Sequence, residues 1–376
     1  MTHFSTRKVA LKTLQATMMV AALLLSATSA FAQRIQVLDT DGQPVPFVSV
    51  TDARGHYIGS TDLDGWLDDT KGNTTLNLSQ VAYKPKTVDV SLLTDGKIIL
   101  EDAALNLPEV VVKPKGLIYV QTYFRVVYID EDGPIYYRGG LIDNSYDIEK
   151  KKVSAKNHHM SKGESGFIRF LLDRFAGQFD DFCKLPDRSH YQVMLRQQEK
   201  GNLTFSDTVN GRQIVSDSIC PLGFVDWDKE NGLRSASFSW RKFFAHKEAA
   251  EKLAKAQEKG KEVAPKDTAI DTRVNDTYFE VYRTNAQGVE RVEDFVMAQL
   301  TREGTHKHSG THFVILAQTY AVECCYADKK ELKQLRKDNK IDMNYDELVR
   351  FEQTHSIPPL PPNLQTEVNK LFVKKK

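Results

Sequence analysis

The chain has 376 residues, of which 41% are hydrophobic and 27% charged, with a formal net charge of +1. These fractions are ordinary for a folded protein and exclude wholesale disorder. The balanced charge excludes a general nucleic-acid binder, which would carry a basic surplus or stripe. At the start of the chain, Arg7, Lys8 and Lys12 precede the apolar stretch Met18–Leu25, and Ala30-Phe31-Ala32 has the small-x-small form of a cleavage site. Residues 1–32 are therefore expected to be a secretory signal peptide, with the mature chain starting at Gln33. No cysteine stands there to take a lipid anchor, and no later stretch reaches the ~20 apolar residues that a spanning helix needs. Export as a soluble protein is expected.

Residues 33–113 read as short strands separated by turns. Arg34–Leu38 alternates polar and apolar residues, Asp41-Gly42 turns the chain, and Val45–Val50 resumes the strand pattern. Asp64-Gly65 supplies positive-φ residues for a tight hairpin. Asp62-x-Asp64-Gly65 is a poor calcium loop, because the 12-residue spacing with a closing glutamate is absent. Further strands are expected at Thr75–Ser79, Thr87–Val90 and Lys97–Leu100. The ordered motifs Gly42–Val50, Gly59–Leu67, Leu78–Tyr83 and Leu107–Val112 resemble the carboxypeptidase regulatory-like domain. Members of that family are seven-stranded, transthyretin-like β-sandwiches, so the resemblance implies that fold here. It also implies the Gram-negative cell envelope, where the module begins many outer-membrane transporters. It does not imply peptidase activity, since the module is an accessory joined to unrelated partners.

A domain boundary is expected at Pro114–Gly116, with residues 117–376 forming an α+β domain. Tyr119–Tyr128 and Ile135–Tyr137 flank Asp130–Gly133 as a hairpin, and the run Tyr136–Asp143 resembles uncharacterised regions of other envelope proteins. Gly166–Phe182 has helical spacing of aromatic residues. Strands are expected at Tyr191–Leu195, Leu203–Phe205 and Gln213–Val215. A charged insertion at about 246–275 favours an exposed helix with Glu248–Lys252 and Glu251–Lys255 pairs and almost no apolar face. Long strands come next at Tyr278–Arg283, Val292–Leu300 and Phe313–Tyr326, giving an antiparallel sheet covered by the aromatic-rich helix. Asp328 with Glu331 and Asn344 with Glu347 form capping boxes of two closing helices. The proline run Pro358–Pro362 is expected on the surface as a stiff segment. Leu364, Val368 and Leu371 then mark a last helix.

No catalytic, cofactor-binding or metal-ligating residue is assigned from sequence, and no cofactor is expected. His306 and His308 could chelate an ion from one strand face, but a hairpin tip through Ser309-Gly310 explains them better. His158-His159 is weaker still. Gly163-Glu164-Ser165-Gly166 falls one residue short of a nucleophile elbow. Cys183, Cys220, Cys324 and Cys325 lack zinc-ribbon spacing, and neighbours such as Cys324 and Cys325 on a strand face opposite sides. The sequence thus favours an exported, non-enzymatic binding or scaffolding module, periplasmic or peripherally associated with the outer membrane. Its expected partner is an envelope protein or a glycan, not nucleic acid. An uncharacterised hydrolase in the second domain, with or without a metal, is the alternative.

Overall fold

The computed structural model describes residues 34–103, 116–164, 183–207, 211–259, 273–284, 290–306, 309–338 and 343–372. The expected leader, Pro114 of the expected boundary, the aromatic-rich segment 166–182 and residues 260–272 of the expected insertion lie outside them. The described chain is mainly β, with no helix long and apolar enough to cross a membrane.

The first seven strands are β1 (Ile35–Leu38), β2 (Ser49–Thr51), β3 (Tyr57–Ser60), β4 (Trp66–Leu67), β5 (Thr75–Ser79), β6 (Lys86–Asp89) and β7 (Lys97–Ile99). They form two sheets, β4-β1-β7 and β3-β2-β5-β6, with β1 and β7 parallel and the other pairs antiparallel. Ile35, Val37, Val50, Leu76, Leu78 and Ile98 make one buried core between them. The Asp62 carboxylate accepts the backbone N–H groups of Asp64 at 2.9 Å and Trp66 at 2.8 Å, so it caps the turn. Gly65 is required there: its φ is +74°, and a Cβ would lie 2.4 Å from the Val37 carbonyl oxygen.

The remaining strands are β8 (Leu117–Asp130), β9 (Gly133–Asp147), β10 (Lys152–Glu164), β11 (Thr204–Asp207), β12 (Gln213–Ser216), β13 (Pro221–Asp228), β14 (Leu233–Phe238), β15 (Val274–Arg283), β16 (Phe295–Thr305) and β17 (His312–Ala327). They build one ten-stranded sheet in the order β10-β9-β8-β17-β16-β15-β14-β13-β12-β11. Two meanders therefore meet where β8 pairs with β17, antiparallel from Leu117↔Ala327 to Asp130↔Phe313. Along β8 the even residues Ile118, Val120, Phe124, Val126 and Tyr128 enter the core of one face. The odd residues Tyr123, Val127 and Ile129 enter cores on the other. Between Ala321 and Glu323 a bulge shifts the register of β17 and changes which parity faces which side. Cys324 consequently joins the first face and Cys325 the second, as alternation requires.

Among the described residues, five α-helices cover this sheet: α1 (His190–Glu199), α2 (Trp240–Glu258), α3 (Lys329–Asp338), α4 (Tyr345–Thr354) and α5 (Pro362–Lys370). Met194 of α1 and Phe243 of α2 pack on the first face with Val225, Ala236 and Phe238. Leu348 of α4 and Leu364 and Val368 of α5 pack on the second. The two-sheet N-terminal unit sits on that same face. Phe47 stacks on Phe224 with ring centroids 6.4 Å apart, and the Tyr57 hydroxyl donates to Glu303 at 2.5 Å. Arg212 donates to the Pro44 carbonyl at 2.9 Å.

Three sequence expectations change. Tyr191–Leu195 is helical, because Ser189 caps α1 and Met194 gives it a buried anchor, which overrides the β preference of Tyr191 and Val193. The charged helix starts earlier, at Trp240, so its first turns carry aromatic residues with Phe243 buried. The proline run is largely covered: Leu360 is 2% exposed and packs with Val127 and Leu316. Both expected capping boxes are present, the Asn344 side chain accepting from Glu347 N–H at 3.0 Å and Asp328 from Glu331 N–H at 2.9 Å.

The proline segment is held by Arg125, whose guanidinium is 1% exposed. It donates to the Pro358 carbonyl at 2.7 Å, to Glu352 at 3.0 Å and to Gln318 at 2.6 Å. Gln318 passes the chain on to Gln299 at 2.8 Å, and Gln299 to Thr301 at 3.1 Å. Tyr123 also donates to Glu352. Replacing Glu352 by alanine leaves a buried guanidinium without its counter-ion and should destabilise the protein by about 3–5 kcal/mol in urea unfolding. Glu101→Ala, at the exposed Lys84–Glu101 pair, should leave the midpoint where it is.

Candidate functional site

A cleft of about 380 Å³ opens on the first face of the large sheet, between the ends of β8, β9 and β17 and the segments Pro186–Ser189 and Glu290–Glu293. Ile118, Tyr282 and Val292 are its buried apolar lining, and Tyr146 and Tyr326 are half-buried walls. Lys151, Arg188 and Arg291 are exposed around it, among the carboxylates of Asp187, Glu290 and Glu293, of which Glu290 is paired with Arg234 and Glu293 lies 3.7 Å from Arg291. Tyrosine rings offer apolar faces with a polar tip, and arginines offer planar donor forks, so the cleft suits a ligand with both a flat apolar face and an anionic group.

Behind the cleft lies a buried ionic cluster. Arg234 on β14 is fully buried and donates through Nη2 to Glu280 at 3.0 Å and through Nε to Glu290. Its guanidinium lies over the rings of Tyr191 at 4.8 Å and Tyr282 at 5.2 Å. Glu280 also accepts the backbone N–H groups of His190 at 2.9 Å and Tyr191 at 3.0 Å. These are orphan donors of the first turn of α1, so the carboxylate satisfies them and complements the positive end of the helix. Glu290 in turn accepts the Ser189 hydroxyl, and its backbone carbonyl accepts Gln192 Nε2 at 2.9 Å. One arginine thus fastens α1 and the Glu290 wall to the sheet. Burial pushes the Glu290 carboxyl up, against the opposing pull of Arg234.

Two neighbours are tuned by the same burial. His190 stacks on Tyr278 with centroids 3.5 Å apart, and its Nδ1 accepts the Trp240 indole N–H at 2.5 Å. Burial, and then Arg234, hold its pKa down at about 3, so it is neutral with its proton on Nε2. Asp294, next to the cleft lining, accepts the Arg291 backbone N–H at 2.9 Å. Burial raises its carboxyl to about 6.

Of the histidine pair singled out by sequence, only His306 falls within the described residues. His306 is exposed, and its Nε2 meets the Tyr128 hydroxyl at 2.6 Å beside Phe313, residues of the first face. His312 stacks on Tyr57 of the N-terminal unit, on the second face. His308, Ser165 and the side chains of His158 and His159 lie outside the described residues. Cys183 is buried, and burial pushes the Cys324 thiol up to about 12. Ser189 lies in the cleft wall but serves as the cap of α1, accepting from Gln192 N–H at 3.2 Å.

Sequence reasoning missed the Arg234 cluster and also a second one. Asp217, Cys220 and His246 come together with ligand atoms all within 4.8 Å of one another. Asp217 and Cys220 stand in the β12–β13 turn and His246 on α2, so no short motif announces them. Burial, and then the Asp217 charge, push the Cys220 thiol up, which is the wrong direction for an activated nucleophile.

No family model matches the chain, and no curated protein matches it either.

The raised Asp294 carboxyl makes a pH prediction. Its folded pKa of about 6 exceeds its unfolded value near 3.8, so folding takes up a proton between those two values. Its stabilising contribution is complete below the unfolded pKa and is lost as pH rises through about 6. Urea unfolding at pH 4.5 and 7.5 should show wild type losing stability relative to Asp294→Asn as pH rises. A difference that is flat across this range would contradict it.

Proposed function

We propose that the protein is an exported, non-enzymatic module of the cell envelope that binds a partner through the cleft beside Arg234. The observation carrying this reading is the cleft's composition: two half-buried tyrosine walls, an exposed trio of Lys151, Arg188 and Arg291, and a buried ionic cluster that fixes the wall behind them. A rigid, pre-formed site of that chemistry loses little entropy on binding. The partner it fits is an envelope protein segment or glycan that presents an acidic group beside an apolar face. The leader at residues 1–32 supports export. The likeness of residues 33–113 to the carboxypeptidase regulatory-like, transthyretin-like module supports an envelope location and an accessory role. In this reading the sandwich acts as a scaffold, fixed to the large sheet through Phe47, Tyr57 and Pro44.

The test is a pull-down from Gram-negative envelope extracts with wild type and with Arg188→Glu plus Arg291→Glu. Both side chains are exposed, but Arg291 stands 3.7 Å from Glu293, so the comparison uses a double variant whose melting curve matches that of wild type. Wild type should enrich an envelope component, and the double variant should retain it at least about 10-fold less well, as expected when attractive rim charges are made repulsive. Equal recovery by both proteins, or enrichment by neither, would refute the reading. Fractionation of the producing cells should also find a mature chain starting at Gln33.

A further inference from the structure

We propose that Asp217, Cys220 and His246 form a binding site for a divalent zinc-class ion, separate from the cleft and independent of its assigned role. The turn from β12 to β13 is built to present two of the ligands. Asp217 Oδ1 accepts the backbone N–H groups of Ile219 at 2.8 Å and Cys220 at 2.9 Å, and Asp217 N–H donates to the Cys220 carbonyl at 3.2 Å. That leaves Oδ2 pointing at His246, whose Nδ1 lies 2.6 Å away. The third ligand arrives on α2, one turn after Phe243, which is buried against the first face and fixes the helix. The Asp217 and His246 side chains are 7% and 10% exposed.

One thiolate, one imidazole and one carboxylate make a mixed set that zinc accepts readily and that magnesium or calcium, which prefer all-oxygen shells, do not. The mutual spacing within 4.8 Å permits one ion to reach all three. Around tetrahedral zinc with bonds of about 2.0–2.1 Å, adjacent nitrogen and oxygen donors stand about 3.3 Å apart. Asp217 and His246 then need to part by less than ~1 Å from their direct hydrogen bond, a shift within the reach of side-chain rotation. Three protein ligands leave one position open. Asp217 and His246 both line a pocket of about 240 Å³, bordered by Asn202, Thr204 and Lys247, where water or a small oxygen ligand completes the shell.

The experiment uses the full mature chain, stripped with chelator and titrated with Co²⁺ and then Zn²⁺. Wild type should bind one equivalent of Co²⁺ with a sulfur-to-metal charge-transfer band, which Zn²⁺ abolishes by displacement. Cys220→Ser should lose the band. His246→Gln, as a second variant with a matched melting curve, should weaken Zn²⁺ binding by at least about 10-fold, the lower end of what loss of a metal-site residue costs. A wild-type protein with no charge-transfer band overturns the proposal. So does a band that survives Cys220→Ser, because the thiolate then belongs to another cysteine. Unchanged Zn²⁺ affinity in folded His246→Gln overturns it as well.

Discussion

Because both faces of β8 are covered, every polar side chain on that strand must find its partner inside protein rather than in water. Arg125 meets this constraint in its most demanding form. It lies on the third of the ten strands, paired in register with Gln318 of β17, and its charge has to be met by something arriving over the second face. Glu352 on α4 brings the opposite charge, and Pro358 brings a carbonyl with no competing duty in a helix. The path of the chain from α4 to α5 is therefore dictated by one guanidinium placed more than two hundred residues earlier.

The opposite face repeats the arrangement with a different purpose. Arg234 is flanked by two glutamates, and each of them reaches onward: Glu280 to the first backbone donors of α1, Glu290 to Ser189. Neither helix propensity nor apolar burial alone would put α1 where it is. Its apolar contribution to the core is modest, with Met194 the buried residue of the helix, so polar attachment has to complete what packing begins. The cost of such attachment is the desolvation of three ionised groups, and a site of this kind is more useful for fixing geometry than for raising stability.

What was legible in the sequence is what local chemistry decides. Asp64-Gly65 announces its turn because glycine alone tolerates that backbone, and Asn344 with Glu347 announces a helix start because both capping bonds are made within four residues. The long strands β8, β15 and β17 were legible from their runs of β-branched and aromatic residues. Tyr191–Leu195 misled because, beyond the Ser189 cap and the buried Met194, the first N–H groups of the helix are met by Glu280, on a strand far along the chain. The proline run misled for the same reason, since prolines in sequence look solvent-loving until a buried donor such as Arg125 claims a carbonyl, here that of Pro358. Of the cleft, only the tyrosines and the basic residues were visible, as ordinary composition. The Asp217, Cys220 and His246 grouping depends on a turn and a helix that meet only in three dimensions.

The order of the large sheet also bears on how the molecule behaves toward its own kind. Within the described residues the sheet ends at β10 on one side and β11 on the other, and an unpaired sheet edge is a template for adding a foreign strand. The two edges carry different deterrents. β11 is four residues long, Thr204–Asp207, and mostly exposed, which gives an incoming strand little length to zip along. β10 is long, but its sequence places Lys152 and Lys156 along the edge, and its pairing with β9 is interrupted by an irregularity at His158–Met160. A second copy approaching edge to edge would have to bring like charges together across a kinked rail. The central strands, whose both-sided hydrophobicity would make them the most dangerous templates, are the ones the topology keeps furthest from either border.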